Sequence, residues 1–235
     1  MSRITLAAAA LCAASAVPAF AGALQVTPTL IETKGAAPVS VVTVRNEGSQ
    51  PMNAQVRVLQ WVQQNGREEL IPASQVVASP PTVQLQPRQD YTVRLVTLGR
   101  AAAGPEEAYR VVISELPNPR DFKAGQVTIL ASHSIPMFRG GLGSPPKLSW
   151  RAQVQGGRVI VTATNAGGAR AKILGLKVSD GRAVANFGEG LVGYVLADGT
   201  MSWERPVPKG FGSGPLRITA RSDGGAIDAQ VDSAR

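Results

Sequence analysis

The chain has 235 residues, 44% of them apolar and only 5% aromatic, and 24 Lys and Arg against 16 Asp and Glu give a net charge of +8. A single cysteine and a single histidine speak against thiol catalysis and against metal centres built on Cys and His ligands. The cations are spread singly along the chain, without the basic runs and interleaved aromatics of a nucleic-acid surface.

In chain order, the first element is an export leader. Arg3 precedes an apolar run from Ile4 to Val17, then Pro18, and Ala19 and Ala21 supply the small residues that a signal peptidase accepts. The run is shorter than the roughly 20 residues a membrane-spanning helix needs, so residues 1–21 read as a signal peptide cut after Ala21. Cleavage removes Cys12, so no disulfide is available and the exported fold rests on apolar burial. No later apolar segment has spanning length, and the mature chain is expected to be free of the membrane.

Beyond the leader, runs rich in Val and Thr alternate with turns marked by Gly and Pro. "ALQVTPTLIE", "VSVVTVRN", "NAQVRVLQWV", "DYTVRLVTL" and "EAYRVVISEL" read as strands, followed later by "LSWRAQVQ", "RVIVTATN", "AKILGLKVS" and "LRITARS". No amphipathic helix longer than two turns is expected. "VTVRNEG" and "VTATNAG" repeat one strand-end pattern, with Asn and Gly expected at positive-φ turn positions. "RGGLGSPPK" (139–147) has the composition of a linker. These features predict an all-β chain of two sandwich domains, at 22–143 and 144–235, each of immunoglobulin-like size.

Catalytic inventory is thin. His133 stands alone in a strand, and neither a Gly-x-Ser-x-Gly elbow nor a phosphate-cradling Gly-Lys-Ser/Thr loop is present. The carboxylate pairs Glu68–Glu69 and Glu106–Glu107 read as solvated turn residues. No enzyme activity, cofactor or metal is expected, and a binding protein is the better reading. One segment is longer than a sandwich requires. "QVTILASHSIPMFRGG" (126–141) alternates, with Val127, Ile129 and Ala131 on one side and Gln126, Thr128 and Ser132 among those on the other, although Leu130 breaks the pattern.

"LQVTPTLIE", "VVTVRNEGSQPMNAQVRVLQW", "LIPASQVVASPPTVQLQPRQDYTVRL", "AYRVVISELPNP" and "SIPMF", in that order, resemble the first domain of the periplasmic pilus-assembly chaperones of the chaperone–usher pathway. "LVGYVLADGTMSW" and "PLRITARSDGG" resemble the second domain of their archaic, spore-coat-like branch. The resemblance implies two immunoglobulin-like domains joined at an angle in a boomerang, acting in the periplasm. It implies pilus or fimbrial subunits and an outer-membrane usher as partners. A strand of the chaperone would complete the subunit's unfinished sandwich, with alternate residues entering the subunit's groove.

On that resemblance the donor residues are Val127, Ile129 and Ala131, with Ile135 or Met137 farther along. A one-residue slip would substitute Thr128 and Leu130. Family members hold the subunit's C-terminal carboxylate between an Arg of the first strand and a Lys of the last. This chain has Leu30 and the neighbourhood of Ile135 at those places, leaving Arg94 or Arg110 as the candidate anchor. The interdomain ion pairs of the family fall on Glu115, Arg139 and Asp223. Self-association of the free protein through an open sheet edge is a further expectation. The competing readings are a two-domain surface or adhesive protein and a carbohydrate-binding protein. For the latter, Trp61, Trp150 and Trp203 read as strand core residues rather than as a sugar platform.

Overall fold

A computed structural model describes residues 24–33, 38–99, 104–118, 125, 127–140, 143–212 and 214–231. The leader and its cut, and Gln126, lie outside the described residues. Those residues form strands and no helix.

Ten strands build the first sandwich: β1 (Leu24–Thr27), β2 (Ile31–Thr33), β3 (Val39–Asn46), β4 (Met52–Gln64), β5 (Arg67–Pro72), β6 (Val76–Ser79), β7 (Thr82–Leu85), β8 (Asp90–Thr97), β9 (Glu107–Leu116) and β10 (Ser132–Arg139). One sheet has the order β1-β3-β8-β6, the other β2-β10-β9-β4-β5 with β7 also on β4. Period-two alternation sorts their side chains. Val42 and Val44 of β3 and Val93 and Leu95 of β8 are fully buried, while Val41, just before the first pair, and Arg94, between the second, face water. The chain changes sheet between β1 and β2 at Pro28, and between β6 and β7 at Pro80 and Pro81. Proline has no N–H for the ladder, so pairing ends where each stands.

Eight strands follow: β11 (Leu148–Gln155), β12 (Arg158–Asn165), β13 (Ala171–Ser179), β14 (Val184–Asn186), β15 (Leu191–Val195), β16 (Thr200–Pro206), β17 (Leu216–Ser222) and β18 (Gly225–Val231). They form a sheet β11-β12-β16 against a sheet β14-β13-β17-β18 with β15 also on β13. Trp150 and Trp203 stack at 6.4 Å against this second core.

The repeated Asn has a different function from the expected turn conformation, since neither Asn46 nor Asn165 adopts positive φ. Both are buried strand ends whose side chains satisfy turn backbone. Asn46 Oδ1 accepts from Gly48 N (2.8 Å) and its Nδ2 donates to Gln50 O (2.8 Å). Asn165 repeats this with Gly167 N (2.9 Å) and Ala169 O (2.8 Å). Gly167 is required by close approach, because a Cβ there would overlap the Pro145 carbonyl.

The β4–β5 hairpin outgrows its sandwich and reaches the second one. Asn65 and Gly66 at its tip have φ of 52° and 76°, as a tight two-residue turn requires. Gly66 O accepts from Ser202 N of β16 at 2.9 Å.

Candidate functional site

β10 pairs with β9 along its whole length, from Ser132 opposite Ser114 to Arg139 opposite Glu107. On its other edge β2 runs parallel and covers only Met137–Arg139. The edge from Ser132 to Pro136 therefore has no strand partner among the described residues. Upstream, Val127–Ala131 continue the chain outside any strand. The predicted long strand is thus paired only in its second half, for a local reason. Ala131 O still accepts from Glu115 N at 2.9 Å, but two residues later β9 gives way to Pro117, which has no N–H to offer.

Side chains of one parity along this segment change environment as it leaves the sandwich. Ile135 and Met137 are buried in the first core at 5% and 1% exposure, and Ala131 packs against its rim. Val127 and Ile129 are each 91% exposed. Thr128 and Leu130, of the other parity, turn towards the first domain and line a depression with Met52, Gln84 and Leu116. Ile135 therefore belongs to its own core rather than to the overhang. Alternation assigns its face correctly but carries no mark of where the sandwich beneath that face stops.

The free edge leads to a cavity of about 600 Å³ between the sandwiches. Thr29, Leu30 and Pro136 close its first-domain side, Arg110 of β9 and Glu68 of β5 enter it, and Lys172 and Tyr194 come from the second domain. A strand laid parallel to β10, as β2 is, would meet β2 at Met137 and so end at this cavity. The Arg110 guanidinium lies over the Trp61 ring, 3.8 Å from its centroid. Loss of hydration in the cleft lowers the Arg110 pKa, with Glu68 opposing, and the same loss raises that of Glu68, with Arg110 opposing. Arg94, the other candidate anchor, is an exposed residue of β8 opposite Val41 and Ser79, in the sheet that does not contain β10. It is outside the cleft.

The expected interdomain ion pairs run through other residues. Arg139 is 3% exposed and donates to Glu107 at 2.8 Å, within the first sandwich. Glu107 also accepts from the Tyr109 hydroxyl at 2.9 Å, and burial, with this acceptor adding to it, pushes the Tyr109 pKa up to about 12. Glu115 Oε2 accepts from Ala131 N at 3.2 Å, again inside the first sandwich. Asp223 lies exposed in the β17–β18 turn, far along the second sandwich's own hairpin. Among the described residues, the cation paired across the interface is Arg170, which pairs with Glu106 at 2.5 Å and with Glu32, and sits over the Phe138 ring at 3.7 Å.

An aromatic trio joins the same interface: Trp61, Phe138 and Tyr194 have centroids 5.3 to 5.9 Å apart. Gln63 adds a two-pronged amide contact, donating to Tyr194 O at 2.8 Å and accepting from Leu196 N at 2.9 Å. In sequence, Gln63, Glu106, Arg170 and Lys172 look like ordinary polar residues beside turns and strands, and only their convergence in space distinguishes them.

Comparison with known proteins agrees with this fold. Residues 23–140 match the family described as pili and flagellar-assembly chaperone, PapD N-terminal domain. No curated protein sequence matches the chain. Among solved structures, the CsuC–CsuE chaperone–tip adhesion subunit pre-assembly complex from archaic chaperone-usher Csu pili of Acinetobacter baumannii aligns with TM-score 0.70 at 20% identity, covering 90% of this chain and 99% of the other. The E. coli chaperone DraB aligns with TM-score 0.55 at 21% identity, covering 89% and 98%. The Salmonella enterica SafA pilin in complex with the SafB chaperone aligns with TM-score 0.56 at 17% identity, covering 90% and 97%.

Proposed function

The chain belongs to the pili and flagellar-assembly chaperone family, and from that premise we propose that it binds pilus subunits in the periplasm by lending them the segment from Val127 to the free edge of β10. Two of the similar solved structures are complexes of a chaperone with a pilus subunit or a pilin, which supports this choice of partner. Delivery to an outer-membrane usher completes the reading, as does export by a leader cut after Ala21.

The observation that carries the proposal is the overhang. Val127 and Ile129 are apolar, alternate, and are 91% exposed at the end of an open strand edge. Burying each in an acceptor groove is worth roughly 1.5–3 kcal/mol before ordering costs. The backbone of β10 would pair with the subunit's edge strand and fix its register. Direction follows from the cleft. A strand parallel to β10 brings its C-terminal carboxylate to Arg110, whereas an antiparallel one would bring a cationic amine there.

Co-purification from periplasm tests the reading. The wild-type protein is expected to hold a secreted subunit in a one-to-one complex, and Ile129→Asp is expected to lose it. A complex that survives Ile129→Asp and Val127→Asp together places subunit binding elsewhere.

A further inference from the structure

We propose that Pro136 is a register stop for the strand that adds to β10, deciding which residue of that strand is the last to be fully paired. The inference rests on the proposed function above and adds to it where along β10 the lent ladder ends.

A proline inside an eight-residue strand calls for a reason, because it has no N–H for a ladder. The ladder pattern gives one. Antiparallel partners alternate between pairs that exchange both backbone bonds and pairs that exchange none. Glu115 N donates to Ala131 O at 2.9 Å, and the register then runs without a shift to Arg139 opposite Glu107. Odd-numbered residues of β10 therefore direct N–H and C=O at β9, and even-numbered ones direct theirs at the opposite edge. The far end agrees, since Gly140 N donates to Thr33 O at 3.0 Å and Phe138 O accepts from the Thr33 hydroxyl at 3.4 Å. Pro136 is even-numbered, so its missing N–H removes no bond to β9.

What the proline changes is the open edge. Ser132 and Ser134 each present an N–H and a C=O there, and β2 begins its own pairing only at Met137. In an added parallel strand, a residue opposite an odd-numbered position donates to the preceding edge C=O and accepts from the following edge N–H. Opposite His133 both groups are satisfied, by Ser132 and Ser134. Opposite Ile135 the N–H meets Ser134 O, but the carbonyl meets the Pro136 ring. An unpaired carbonyl against the apolar surface of Pro136 and Leu30 is costly. The last fully paired residue of the added strand therefore stands opposite His133. A slip of two residues keeps every side chain on its own face, so alternation alone leaves this register open and Pro136 closes it.

The test uses the full mature chain and a synthetic peptide of alternating valine and threonine, N-acetylated, C-terminally amidated and ending in an isotope-labelled valine. Intermolecular nuclear Overhauser contacts read which residue of β10 lies opposite that valine. In the wild type it is expected opposite His133. Pro136→Ala restores an edge N–H without touching the β9 ladder, and the valine is expected to move opposite Ile135, with the new register at least about fivefold more populated than the old. Ser134→Pro withdraws the next N–H upstream, and the valine is expected opposite Ala131. Circular dichroism checks folding, and Pro136→Ala decides alone if Ser134→Pro does not fold. A register unmoved in a folded variant overturns the stop and leaves the proposed function standing. Contacts to a different sheet edge, or no binding by any of the three proteins, overturn the strand addition on which the stop depends.

Discussion

Ile129 and Ile135 stand six positions apart with the same parity on one chain segment, yet Ile129 is 91% exposed and Ile135 is 5% exposed. The face is continuous and the sandwich beneath it is not. That single difference separates a residue the protein keeps from a residue it has free to lend.

Opposite phenotypes are therefore predicted for one substitution at the two sites. Ile129→Asp is expected to leave stability within about 0.5 kcal/mol of wild type, as at other surface positions. Ile135→Asp puts an unpaired carboxylate into the first core and is expected to cost more than about 3 kcal/mol. Urea titration of both variants checks the contrast. Equal stability of the two would show that the overhang extends past Ile135.

Trp61 is 2% exposed and meets Phe138 from its own sandwich and Tyr194 from the other. Trp61→Ala is expected to lose about 3–5 kcal/mol, the usual cost of deleting a large buried ring. It should also free the Arg110 guanidinium from its ring, and Trp61→Phe is expected to recover part of the stability. Denaturant unfolding of the two variants gives both quantities.

At Gly66 two constraints coincide. A Cβ would stand 2.5 Å from Ser202 Oγ, and φ is +76°. Gly66→Ala is expected to cost about 1–2 kcal/mol from the left-handed backbone alone, and more if the hairpin tip is pushed off β16. Adding Ser202→Gly should return only the steric part. Thermal melting of the single and double variants separates the two contributions.

Asp180 accepts from the backbone N–H groups of Ala183, Gly212 and Arg182, and these bonds lower its pKa from 3.8 to about 2. A depressed folded-state value means that the contribution is complete above the unfolded pKa and is lost as pH falls through the folded one. Between about pH 4 and pH 2 the wild type should lose stability through this group. Asp180→Asn should lack that part of the slope, which unfolding curves across the acid range will reveal.

Much of the fold was legible because a half-buried strand writes its period into the sequence. Val42, Val44, Val93 and Leu95 alternate with outward residues, and each is buried. The site was legible only in part. Val127 and Ile129 follow the alternation, but Ile135 obeys the same rule while belonging to its own core. Pairing of β9 stops at Pro117, and that stop, not any property of residues 127–130, leaves them without a strand partner among the described residues. The cross-domain contacts were beyond sequence reading altogether. Arg170 meets Glu32 across 138 positions, and no local pattern encodes such a pairing. The two turns of the internal repeat misled in a simpler way, since Asn46 and Asn165 stabilise their turns with side chains rather than with their own φ.

Amide hydrogen exchange of the protein, free and bound to a pilus subunit, tests strand lending most directly. The account predicts that amides from Val127 to Leu130 exchange rapidly in the free protein and become protected in the complex, together with the open edge of β10. Protection confined to another edge, such as β5, with Val127–Leu130 still exchanging freely, would contradict it.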